Sequence, residues 1–240
     1  MTAALEPAVK SLHLPVHDAY FTCPAPGIPS INSPDDAAES AAKCFPHLQP
    51  LVPHYDAFLI ACYSHHPLVA QLKHECSALS AAATGGTGGE GARKYVTGIF
   101  EASVLASLSL IDESQGFGIV STGKVWEKAL TDAVKGFLGQ EKGKRYVGTE
   151  TTGLNATELH DLPAEEVREK MKQATKRLLK QGNHNVGAIC LGCAGMVGLE
   201  EAVRQACVEE LGDQAGKKVY IVDGVKAGVA QLVGNTRTAF

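Results

Sequence analysis

The sequence predicts an α/β protein built of two similar Rossmann-like halves with parallel sheets and a site at their junction. Three observations predict it. Short apolar strands alternate with amphipathic helices along the 240 residues, the pattern of parallel sheets covered by helices. The stretch Asp56–Cys62 lines up with Gly187–Cys193 at an offset of 131 positions, and beyond it Leu68 matches Leu199, Leu72 matches Val203 and Cys76 matches Cys207. Val96–Ala102 resembles Val219–Gly224, so each half has a cysteine at one strand end and a carboxylate, Glu101 or Asp223, at the next. Residues 1–111 make the first half, with the C-terminal helix 225–240 as a candidate to complete it, and residues 112–224 make the second.

The elements follow in order. Ala3–Leu12 reads as helix and Val16–Phe21 as a strand, followed by a Pro-rich loop from Cys23 to Pro34. Ser33-Pro34-Asp35-Asp36 starts a helix running to about Phe45, with a Ser cap, Pro in the first turn and acids beside it. Ala57–Ala61 is an unbroken apolar run and predicts a buried strand. Pro67–Leu79 is a helix, and Ala81–Gly91 reads as a Gly-rich surface loop without the Gly-Lys-Ser/Thr ending of a phosphate-binding loop. Val96–Phe100 is a strand and Ala102–Leu110 a helix. In the second half Phe117–Val120, Arg145–Gly148, Val186–Leu191 and Val219–Val222 read as strands. Between and after them Val125–Leu138, Pro163–Gln181, Leu199–Leu211 and Val225–Val233 read as helices.

The repeat exposes a gap. The second half opens with a strand and the polar loop Ser121-Thr122-Gly123, whereas residue 1 already stands at the edge of a helix. A strand and its loop are therefore expected to be missing ahead of Met1, through a shortened gene model, an alternative start or a real truncation.

Composition narrows the function. With 45% hydrophobic and 20% charged residues the chain can bury a substantial core. A net charge of −4 without a Lys/Arg block argues against nucleic acid as a partner. No apolar run approaches the ~18 residues of a membrane span, and the N-terminus shows no secretory pattern. Seven cysteines without a disulfide framework point to reduced thiols in the cytoplasm. No metal is expected: His65 and His66 are adjacent and would diverge on a regular helix. Cys23, Cys44, Cys76, Cys190 and Cys207 read as small core residues. Cys62 and Cys193 stand apart, each at the end of an equivalent strand, where parallel α/β sheets bind ligands. Two thiols facing each other across a junction are placed to take a proton from one face of a carbon and return one to the other.

Leu59-Ile60-Ala61-Cys62-Tyr63-Ser64-His65-His66-Pro67-Leu68-Val69-Ala70 and Leu191-Gly192-Cys193-Ala194-Gly195-Met196 resemble the Asp/Glu/hydantoin racemase superfamily. Within it they are similar to the hydantoin and allantoin racemase branch and to its fungal members. Gly98–Ala102, Val120–Gly123 and Val222–Val225 add to the resemblance, which covers essentially the whole chain. Amino-acid racemases of the superfamily carry Cys-Asn-Thr and Cys-Thr-His at the two cysteine sites. Here they read Cys62-Tyr63-Ser64 and Cys193-Ala194-Gly195, which disfavours an aspartate or glutamate substrate.

The resemblance implies a cofactor-independent racemase of nitrogen metabolism acting on a small molecule, a 5-substituted hydantoin or allantoin, often as a homo-oligomer. It implies Cys62 and Cys193 as catalytic thiols with helix N-termini behind them. It also implies an opening strand with an Asn-Pro-Asn loop, absent where the repeat shows its gap. Backbone N–H groups of Tyr63, Ser64, Ala194 and Gly195 are candidates to bind the developing oxyanion. Glu101 and Asp223 are candidates for substrate N–H groups, or helix caps. Ser121 and Thr122 are candidates for a ring carbonyl, or caps of the next helix. His65 and His66 read as surface-loop residues and Trp126 as packing. Two other readings stand beside the racemase. One is a relative using the same thiols, such as a maleate isomerase or an arylmalonate-type decarboxylase. The other is a catalytically impaired binding or regulatory protein.

Overall fold

The computed structural model describes residues 2–83, 93–139 and 145–238. A 3-10 turn and α1 (Glu6–Lys10) lead into α2 (Pro34–Leu48), a second 3-10 segment, β1 (Ala57–Ile60), α3 (Pro67–Ala83), β2 (Tyr95–Gly98) and α4 (Ile99–Leu110). The second half runs β3 (Gly116–Ser121), α5 (Val125–Leu138), β4 (Tyr146–Thr151), α6 (Glu158–Asp161), α7 (Ala164–Gln181), β5 (Val186–Gly192), α8 (Glu200–Leu211), α9 (Asp213–Lys218) and β6 (Tyr220–Asp223). Last comes α10 (Gly224–Thr238). The expected start of α2 forms: the Ser33 hydroxyl accepts from the Asp36 N–H at 3.1 Å.

The strands form two parallel sheets, β1-β2 and β4-β3-β5-β6. β5 is buried along its whole length and alternates its side chains between two cores. Ala188 and Cys190 join Phe117, Trp126 and Leu130, together with Tyr63, Phe100 and Val104 of the first half. Ile189 and Leu191 join Met171, Leu178 and Val203 of α7 and α8. The first of these cores is common to both halves and packs them together around α4. A third core holds Ala41, Ile60, Leu72 and Val96 under α2 and α3. α10 lies against α4, β1 and β2, and Gly224 lets its first turn approach closely, since a Cβ there would stand 2.6 Å from the Ile99 carbonyl oxygen.

Several expectations change. Val16–Phe21 forms no strand, and Val16 and Tyr20 are exposed. The segment precedes α2 as β4 precedes α7, and β4 pairs only with β3. Among the described residues the first half has no strand in the place of β3, so an extended segment there lacks a ladder partner. β2 ends at Gly98 and α4 begins at Ile99, which places Glu101 in the first turn of a helix rather than after a strand. β4 runs further than expected, and α6 and α9 were not anticipated. Ala81–Ala83 belong to α3, while the rest of the Gly-rich segment, from residue 84, lies outside the described residues. Among the described residues, no helix is long and apolar enough to cross a membrane.

Candidate active site

Cys62 follows β1 and Cys193 follows β5, at equivalent ends of parallel strands. Both residues are half-buried and carry free thiols. Cys62 Sγ lies 3.5 Å from the Ser64 hydroxyl. Cys193 Sγ accepts from the Gly195 N–H at 3.4 Å. Burial pushes the Cys62 thiol up to about 12, against the pull of Ser64, and a charge on Cys193 pushes it the same way. Burial pushes the Cys193 thiol up to about 11, against the Gly195 N–H. Although part of each residue meets solvent, the sulfurs sit deep enough for desolvation to dominate. Cys62 packs against the core under α2 and α3, and Cys193 against that of α7 and α8.

The expected helix N-termini are not directly behind the thiols. α3 begins at Pro67, after the Tyr63–His66 loop, and α8 begins at Glu200, after the 3-10 turn Ala194–Met196. The Ser64 N–H is taken by the Cys62 carbonyl at 3.0 Å, and the Gly195 N–H by the thiol itself. The Tyr63 side chain turns away into the shared core, where its hydroxyl lies 2.6 Å from Ser103 Oγ. Ala194 is buried in the turn. The Ser121 hydroxyl donates to the Gly192 carbonyl at 2.8 Å, tying β3 to the residue before Cys193. Thr122 is buried, and its carbonyl accepts from the Gly153 N–H at 3.0 Å. Neither caps α5, whose N-cap is Lys124, without a side-chain cap bond. Cys190 and Cys193 have the spacing of a dithiol motif, yet they join cores on opposite sides of the sheet.

The two carboxylates occupy equivalent places in the two halves in a way the chain alignment hides. β1 pairs Ile60 with Gly98, and β5 pairs Leu191 with Asp223, so the positional equivalent of Asp223 is Gly98. A Cβ on Gly98 would collide with Glu101 Oε2. The longer Glu side chain thus folds back from the helix and fills the place that the Asp side chain fills in the other half. Asp223 Oδ1 accepts from the N–H groups of Val225 at 2.7 Å and Lys226 at 3.2 Å, capping α10. Glu101 Oε2 and Asp223 Oδ2 are buried without a hydrogen-bond partner. Burial raises both carboxyls above the usual range, outweighing the backbone N–H groups beside them.

Two histidines revise the expectations. His65 is exposed, but His66 is buried, accepts from the Leu68 N–H at Nδ1 (3.3 Å), and is pushed down by burial to about 4. It is a neutral cap of α3 rather than a surface-loop residue. His160 on α6 went unnoticed in the sequence. A Cβ on Gly195 would stand 3.2 Å from His160 Nε2 and 3.6 Å from Cys193 Sγ, so glycine keeps open the space between them. Nothing in the first half's loop of residues 22–33 corresponds to it, which left the repeat blind to it. Among the described residues no cluster of three His, Cys, Asp or Glu could hold a metal ion.

Comparison with known proteins agrees with this architecture. The family described as Asp/Glu/Hydantoin racemase matches residues 1–232. An uncharacterized Schizosaccharomyces pombe protein, C1F7.10, is 34% identical over 218 residues, covering 91% of this chain and 79% of the relative. The fold is similar to that of allantoin racemase from Klebsiella pneumoniae, with TM-score 0.75 and 22% identity over 100% of this chain and 83% of that one. It is also similar to Pseudomonas fluorescens allantoin racemase, with TM-score 0.74 and 20% identity over 100% and 86% of the two chains. This chain belongs to the Asp/Glu/hydantoin racemase family and is an enzyme of the racemase class.

Proposed function

We propose that the protein racemises a 5-substituted hydantoin or allantoin, without a cofactor, by proton transfer between Cys62 and Cys193. The observation that carries the reading is the pair of free, half-buried thiols, each at the same strand end of one half. One thiolate removes the ring C–H beside the carbonyl: the C–H bond breaks, an S–H bond forms, and the electron pair passes to the carbonyl oxygen. The opposite thiol then gives its proton to the other face and becomes the thiolate, so the site ends ready for the reverse direction. The Gly195 N–H on Cys193 favours the anion there, making Cys193 the first base in one direction.

Glu101 Oε2 and Asp223 Oδ2, which lack hydrogen-bond partners although Asp223 Oδ2 lies 4.0 Å from the Lys226 ammonium, suit this class of substrate. A hydantoin ring carries two N–H donors, and the two halves each supply one acceptor. Buried carboxyls would repel the second carboxylate of aspartate or glutamate, in line with the departures at Tyr63-Ser64 and Ala194-Gly195.

The test follows the optical activity of a single hydantoin enantiomer by circular dichroism. Cys62→Ala and Cys193→Ala are each expected to lower kcat/KM at least a thousandfold. Wild-type rates in both variants would exclude the mechanism. Full activity after loss of one thiol alone would favour a decarboxylase-type relative that needs a single thiol. Among the described residues β1 pairs with β2 alone, which favours one second reading, a binding protein of low turnover; tight binding of a hydantoin with no racemisation by the intact chain would support it.

A further inference from the structure

The two thiols follow strands of two different sheets, and among the described residues no ladder joins β1 to β5. Their spacing is therefore set by what packs between the sheets. Most of that is apolar: Phe100, Val104, Phe117 and Trp126 fill the shared core. Apolar packing is non-directional, whereas a satisfied polar network rigidifies a core. One polar chain crosses this core. Tyr63, next to Cys62, sets its ring edge-on to Phe100 of α4, with centroids 5.8 Å apart. Its hydroxyl lies 2.6 Å from Ser103 Oγ, which itself donates to the Phe100 carbonyl at 2.9 Å. The one Ser103 hydroxyl hydrogen is thus committed, and Tyr63 is the donor. Cys190 Sγ donates to the Ser103 carbonyl at 3.7 Å and lies 3.1 Å from Ser107 Oγ. Cys190 stands on β5, the strand that leads to Cys193. Tyr63 is 4% exposed, and Ser103, Ser107 and Cys190 are 0% exposed.

We propose that Tyr63 is a positioning residue of the racemase site: through Ser103 and Cys190 its hydroxyl sets the Cys62 loop against the strand that leads to Cys193. The proposal rests on the racemase reading above and goes beyond it in naming what holds the two thiols at their spacing. A hydroxyl in an apolar core is costly unless it is hydrogen-bonded. A phenylalanine would fill nearly the same volume, so what the hydroxyl adds is direction rather than bulk. Reacting groups must be held closely, since a misplacement of about 1 Å costs on the order of a hundredfold in rate. Inversion asks more of the spacing than proton removal does. With Cys62 slightly set back, Cys193 still removes a proton and returns one to its own face. Delivery to the opposite face needs both thiols in place at once. Loss of the Tyr63 hydroxyl therefore separates proton removal from inversion.

The test uses the full chain in D2O with single enantiomers of allantoin or 5-methylhydantoin, whichever the wild type turns over faster. Circular dichroism follows racemisation, and mass spectrometry reads deuterium in the remaining substrate. Tyr63→Phe is expected to lower kcat for racemisation at least tenfold with KM changed less than twofold. For the enantiomer whose proton Cys193 removes, deuterium in the remaining substrate is expected to rise at least fivefold relative to inverted product. Ser103→Ala, which takes away the acceptor, is expected to act the same way, and the double variant to be no slower than the slower single one. Exchange and inversion lowered by the same factor, as by a smaller folded fraction, would overturn the proposal. Wild-type kcat in Tyr63→Phe would overturn it as well, and either result leaves the racemase reading standing. A wild-type chain that racemises neither compound would overturn both.

Discussion

At Cys62 and Cys193 burial outweighs the neighbours that favour a thiolate and pushes both thiols above the free-cysteine range. A thiol near 12 is roughly three-thousandfold less ionised at neutral pH than a free cysteine near 8.5. Alkylation of Cys62 by iodoacetamide, followed by mass spectrometry, is therefore expected to be about three-thousandfold slower than that of a free thiol at pH 7.5. The rate should rise about tenfold per pH unit to pH 10 without a plateau. Glu101 gives a second pH signature. Its carboxyl is raised by burial, so the stability it contributes is full below the unfolded value of about 4.3 and is lost as pH rises through the folded value. Glu101→Gln keeps the shape and removes the charge. The variant's Tm should exceed the wild-type value by about 2 °C at pH 8, with the gap closing at pH 4. The carboxylates also mark a limit of sequence reading. Glu101 and Asp223 were visible as candidates, but their equivalence between the halves depends on a side chain folding back over Gly98, which no alignment of chain positions records.

Among the elements, α4 and α10 each begin beside one of the two carboxylates. Both helices begin where a strand ends, and they begin in contact, with Gly224 against the Ile99 carbonyl. A methyl group on Gly224 has backbone to displace, so Gly224→Ala is expected to destabilise the protein by about 1–3 kcal/mol in chemical denaturation. It should lower activity as well, because it parts the two helix starts. The long elements were legible because their signals are local: the Ser33 cap of α2 and the apolar run of β5 need no distant partner to be read. Val16–Phe21 was not legible for the opposite reason. Its extended character is real, but a strand exists only with a neighbour, and that neighbour is not among the described residues of the first half. His160 and the buried cap His66 were missed because their roles come from packing: one lies over Gly195, and the other turns inward beside an exposed histidine.

For the whole molecule, the internal repeat predicts two halves and the structure shows them unequal. β5 is flanked by β3 and β6 and is buried throughout, while β1 has β2 as its partner and is mostly half-buried. Local opening should follow this difference. In hydrogen exchange read by mass spectrometry, residues 57–60 are expected to exchange at least a hundredfold faster than residues 186–192. Equal protection would mean that the edge of β1 is covered. The shared core around Tyr63, Phe100, Trp126 and Cys190 opposes independent motion of the halves and holds the two thiol loops in one frame.

The central claim is that two thiols serve opposite faces of one carbon, and deuterium labelling at early turnover tests it most directly. A single hydantoin enantiomer is incubated with the wild-type protein in D2O, and substrate and product are separated and weighed by mass spectrometry. The account predicts one deuterium in the inverted product and almost none in the remaining substrate. Equal deuterium in both at the earliest times would mean that a single base serves both faces, and would contradict it.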